Sequence, residues 1–95
     1  MYYIPQRVVL PFGYTIRIKQ LRLKKWRAAY EDVFKDKGWK DCAAFFHETE
    51  DGAVILLQRN RTPHQRKEDL VHELQHAMVE YGEYVKNLSP LTLAP

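Results

Sequence analysis

From Thr62 onward the chain is written as one long amphipathic helix, and the rest must supply a surface that covers its apolar stripe. Thr62 is a strong N-cap residue, Pro63 suits the first helical position, and Gln65 stands where a capping box closes. Leu70, Leu74, Ala77, Met78, Tyr81 and Val85 then fall on one side at helical spacing, which predicts a helix running toward Gly82 or a little beyond. A stripe this long is stable only when packed, and the strands upstream are the available partner.

Those strands are legible from alternation and turn residues. Arg7-Val8-Val9-Leu10 and Tyr14-Thr15-Ile16-Arg17-Ile18-Lys19 flank the turn signal Pro11-Phe12-Gly13 and read as two antiparallel strands. From Leu23 the period lengthens: Leu23, Trp26, Tyr30, Val33 and Phe34 mark a short helix that ends near Lys37-Gly38, with Trp26 and Tyr30 as core. Cys42 to His47 and Ala53 to Leu57 form a hairpin across Glu48-Thr49-Glu50-Asp51-Gly52, whose Asp-Gly pair suits a tight connection. The unbroken run Val54 to Leu57 points to a strand covered on both faces or to one whose outer face meets a ligand. The fold class is therefore α+β: a small antiparallel or mixed sheet of three to four strands on a C-terminal helix, with one further short helix.

With 95 residues, room exists for one domain spanning 1–95 and one modest core, so any site must be built from the core elements themselves. Twelve aromatics argue against disorder. The net charge of +3 is small because Lys and Arg are largely offset by Asp and Glu. Basic residues at Arg59, Arg61, Arg66 and Lys67, and in the Lys24 to Arg27 cluster, are interleaved with acids and match no nucleic-acid-binding motif, so nucleic acid is not an expected partner. No apolar run approaches the ~20 residues of a membrane span, and the start Met1-Tyr2-Tyr3-Ile4-Pro5 lacks the plan of a secretory leader, so a cytoplasmic location without membrane contact is expected. Cys42, the only cysteine, excludes an internal disulfide and reads as a small strand residue; Asn60-Arg61-Thr62 is a sequon without a secretory context.

The long helix also carries His72-Glu73-Leu74-Gln75-His76. At about 100° per residue, the two histidines project away from the apolar stripe and lie one turn apart, ~6 Å along the axis, the spacing at which two imidazoles grip one zinc ion. Glu73 follows the first histidine, where a carboxylate flanks such an ion as general base toward metal-bound water.

On these residues the segment from Ala53 through Tyr84 resembles the zincin metallopeptidases, particularly minimal single-domain gluzincin-like proteins and small phage-associated HExxH peptidases. The resemblance implies a zincin-like sheet over the motif helix, Zn2+ as cofactor with His72 and His76 as ligands, and Glu73 as catalytic base or acid. It further implies a peptide substrate held in extended form along a sheet edge, on Ala53 to Leu57 or its neighbour. The metzincin continuation is absent, since Val79 and Gly82 occupy its Gly and His positions. The gluzincin third ligand has no counterpart either, because Asn87 to Pro95 contain no acid. Glu80 lies ~12 Å along the axis from His72, too far on a straight helix, and Glu83 requires a break at Gly82. His47 and His64 read as polar surface, so the third donor stays open among Glu80, Glu83, another subunit and water. The expected function is zinc-dependent peptide hydrolysis, and the alternative is a catalytically inactive zincin-fold module that binds a partner or regulates one.

Overall fold

The computed structural model describes residues 3–92; Met1 and Tyr2, which open the segment read for a leader, lie outside the described residues. In chain order the elements are β1 (Arg7–Val9), a 3-10 turn (Pro11–Gly13), β2 (Thr15–Leu21), α1 (Leu23–Phe34), a second 3-10 turn (Gly38–Asp41), β3 (Ala44–Thr49), β4 (Gly52–Gln58) and α2 (Pro63–Thr92). The four strands form one mixed sheet in the order β1-β2-β4-β3. β1 pairs antiparallel with β2, β4 pairs parallel with β2 from Thr15↔Gly52 to Leu21↔Gln58, and β3 returns antiparallel on β4. This is the expected α+β architecture of a small sheet, a long C-terminal helix and one shorter helix.

Alternation along β4 makes the fold three layers deep. Ile55 and Leu57 join Ile16, Ile18, Leu70 and Ala77 beneath α2, whereas Leu56 joins Trp26 and Phe45 beneath α1. The apolar run of β4 is thus covered on both faces, one of the two outcomes its sequence allowed, and the strand is central instead of being a shelf for substrate. Trp26 anchors the α1 layer: it is fully buried, meets Phe45 edge-on, and donates its indole N–H to the Leu56 carbonyl at 3.0 Å. That bond removes the cost of burying the indole donor.

Two element ends differ from the sequence reading. α1 stops at Phe34 because Lys35 turns left-handed at φ 60° and returns its N–H to the Glu31 carbonyl, closing the last turn before Gly38. α2 passes straight through Gly82 and continues to Thr92. Its far half is held by aromatic contacts that hydropathy does not reveal, with Tyr14 packed between Tyr81 and Tyr84 and the Tyr84 hydroxyl donating to the Phe12 carbonyl at 2.7 Å. The helix starts as predicted: Thr62 Oγ1 accepts from Gln65 N–H at 3.1 Å, and Gln65 Oε1 accepts from Thr62 N–H at 3.0 Å.

Candidate functional site

The face that α2 turns to the sheet is centred on Leu70, Glu73 and Ala77, all buried, at i, i+3 and i+7. Leu74 is only partly buried and Met78 is 48 % exposed, so the packed stripe lies rotated toward Glu73 from the one the apolar residues suggest. His72 and His76 remain exposed at its border, as expected. Their Nε2 atoms are 3.4 Å apart and their rings meet nearly at right angles. Phe46 of β3 lies parallel to the His76 ring at 6.4 Å between centroids.

Glu73 is 7 % exposed and opens on a cavity of about 310 Å³ between the Asp41 to Ala44 segment and helix residues Asp69, His72 and Glu73. Burial raises its pKa, an effect opposed by the neighbouring His76 and His72 when charged and reinforced by Asp69. Cys42 stands at the same cavity, half-buried and just ahead of β3 rather than in a strand. Its thiol donates to the Ala44 carbonyl at 2.9 Å, and burial, with Glu73 nearby, pushes its pKa up, so it is a poor nucleophile near neutral pH.

The other candidate donors are held elsewhere. His47 follows Phe45 by two residues on β3 and therefore sits on the α1 face, away from His72 and His76. His64 pairs with Glu68 at 2.6 Å in the first turns of α2. Asp69 is bound by both arms of Arg61, at 2.5 and 3.2 Å. The Glu80 carboxyl lies beside Glu48 of β3, whose proximity raises its pKa, and Glu83 is carried onward by the unbroken helix.

A catalytic zinc ion takes three protein donors and keeps a fourth position for water. Among the described residues no group of three or more His, Cys, Asp or Glu side chains is arranged to hold a metal ion. The finding overturns Zn2+ as the cofactor and peptide hydrolysis by metal-bound water. No family model, curated protein or solved structure matches the chain, so the metallopeptidase family assignment, which rested on the motif, falls with the metal site.

His72, Glu73 and His76 nevertheless stand together, and they stand beside an open strand edge. β3 ends the sheet, hydrogen-bonded on one side to β4. The antiparallel ladder turns the N–H and C=O of every second β3 residue outward, next to the cavity and the histidine pair. Sequence reasoning missed Phe46, Asp41 and Asp69 as members of this cluster. Asp69 alone carried a signal, since it precedes His72 and Glu73 by three and four residues and so shares their side of the helix. Among the described residues no helix is long and apolar enough to cross a membrane.

Proposed function

We propose that the chain is a partner-binding module that takes an extended peptide segment by strand addition along the outer edge of β3. The observation that carries this reading is the position of β3 at the end of the sheet, with the cavity of Glu73 and the exposed His72 and His76 along the same border. Backbone pairing supplies affinity in such a mode, and side-chain pockets supply selectivity. Glu73, His72 and His76 are the side chains that meet the incoming segment. With Asp41 and Glu73 on the cavity wall and Asp69 already neutralised by Arg61, the pocket favours a peptide that carries a Lys or Arg side chain there.

The test is a library of extended ten-residue peptides, each with one central Lys, Arg, Leu or Glu, titrated into the full chain and followed by backbone amide NMR. The expected outcome is binding of Lys and Arg members in the micromolar range, with new exchange protection at alternate β3 amides. Peptide N-methylated at alternate residues should bind when methylated in one phase and fail in the other. Protection confined to elements other than β3, or no member binding more tightly than ~1 mM, would refute the module.

A further inference from the structure

On the opposite border of the sheet the fold gathers basic residues that are scattered through the sequence. Arg7 of β1, Arg17 and Lys19 of β2, Arg59 after β4 and Arg66 of α2 line one open groove of about 1090 Å³. Among the described residues no Asp or Glu lines it. The groove exists because β1 is short: its pairing with β2 begins at Arg7↔Arg17, Gln6 accepts from Ile18 N–H at 2.9 Å, and Lys19 to Leu21 of β2 run on without a β1 partner. The segment Tyr3 to Gln6 forms one wall, and Arg59, tied to β2 through its N–H on the Leu21 carbonyl at 2.8 Å, stands across from it.

Little neutralises these charges. Arg17 forms an exposed pair with Asp51 at 3.4 Å, and among the described residues no ion pair involves Arg7, Lys19, Arg59 or Arg66. Arg66 donates one amino group to the neutral Gln20 side chain at 2.5 Å, while its buried Nε has no hydrogen-bond partner. Arg7 and Arg17 face each other across the β1 and β2 pair, a like-charge placement that costs stability unless an anion lies between. Four of the five cations are arginines, whose planar fork fits phosphate oxygens in pairs. Tyr3, 85 % exposed, adds an aromatic face at the groove, next to Ile4 and Pro5.

From this combination we infer that the groove is a binding site for single-stranded nucleic acid, with the five cations on successive phosphates and the Tyr3 ring stacked on a base. A row of carboxylates would use the cations but leave the aromatic face idle, so a strand with both phosphates and bases is the better fit. The site is independent of the β3 edge and makes no use of His72, Glu73 or His76.

The test is fluorescence anisotropy of labelled dT12 with the full chain between 50 and 300 mM salt. Five phosphate contacts on a single strand predict a log–log slope of about −3.5. Arg7→Gln, Lys19→Gln and Arg59→Gln together, all at exposed positions, should shrink the slope by about 2 and weaken binding at 50 mM salt at least ~tenfold. Lys24→Gln, Lys25→Gln and Lys37→Gln, which remove the same charge outside the groove, should leave slope and affinity nearly unchanged, and Tyr3→Ala should weaken dT12 without changing the slope. Equal losses from the two triple variants, an oligoglutamate of equal charge competing as well as dT12, or binding weaker than ~1 mM at 50 mM salt would each overturn the assignment.

Discussion

Gly52 offers the most severe single test of how the sheet is assembled. It is the first residue of β4, pairs with Thr15 in the parallel ladder and with Thr49 in the hairpin, and so lies where three strands converge. A Cβ added there would stand 1.9 Å from the Thr15 carbonyl oxygen and 2.7 Å from both the Thr15 carbonyl carbon and nitrogen. Those are backbone atoms in a strand, with no side-chain rotation available to them. An ordinary C···O contact is about 3.3 Å, so Gly52→Ala must push β2 and β4 apart by over an ångström at this point. Overpacking of this kind costs about 1–3 kcal/mol. Loss of the adjoining Thr15 N–H bond to the Asp51 carbonyl, 2.9 Å in the native chain, adds about 1 kcal/mol. The total, about 2–4 kcal/mol, is a large share of the roughly 5–14 kcal/mol that a chain of this length commands. Urea unfolding followed by the fluorescence of the buried Trp26 should show it, as should a fall in Tm of about 10–25 °C. Gly82→Ala is the control: Gly82 sits inside α2 with nothing within 4 Å of an added Cβ, and the change should stabilise by about 0.5–1 kcal/mol. A Gly52→Ala variant within ~0.5 kcal/mol of the native chain would refute the parallel approach of β2 and β4.

Two further outcomes follow from the helix that borders the site. Burial raises the Glu73 pKa above its ordinary value of 4.5, so the folded chain holds a proton that the unfolded chain releases, and stability is lost as pH rises from the ordinary value through the folded one. Glu73→Gln should therefore stabilise the fold above that window, and the gain over the native chain should vanish below about pH 4, as read from urea midpoints across pH; a gain independent of pH would contradict the burial of a charge. Thr62→Ala removes the side-chain half of the capping box and should cost about 1 kcal/mol in the same assay, with increased amide exchange confined to the first turn of α2.

What the sequence disclosed divides along physical lines. Local signals were readable: the Thr62, Pro63 and Gln65 start of α2, the β3 and β4 hairpin, and Trp26 as core are each determined by residues close in sequence or by one helical period. The parallel pairing of β2 with β4 was not, because it joins strands separated by α1 and β3, and no turn residue records it. That pairing makes β4 central and β3 the edge, so which of the two strands ends the sheet was open until the topology was known. Gly52 shows the same limit: the sequence assigns it to a tight connection, whereas Glu50 and Asp51 make the turn and the glycine is required by the backbone of Thr15. Glu73 was misplaced because hydropathy centres the stripe near Leu74 and Tyr81, while packing against Ile55 and Leu57 selects the Leu70, Glu73 and Ala77 side.

The motif His72-Glu73-Leu74-Gln75-His76 encodes only two converging imidazoles; a third donor is a property of tertiary structure. Several side chains that could have supplied it are committed or placed elsewhere. Asp69 is neutralised by Arg61, the Glu80 carboxyl stands beside Glu48, His64 is paired with Glu68, and His47 lies across the sheet. The Cys42 thiol is bonded to a backbone carbonyl and has its pKa raised. Glu73 itself faces the cavity, on the β3 side of the helix, where an added strand would run. A buried carboxylate that opens on a cavity beside two exposed imidazoles has unspent hydrogen-bonding capacity, and so has the outer edge of β3. Both needs are met by the same object, an extended chain with a basic side chain, which is why the edge and the histidine pair are better read as one docking border than as the remains of two separate features.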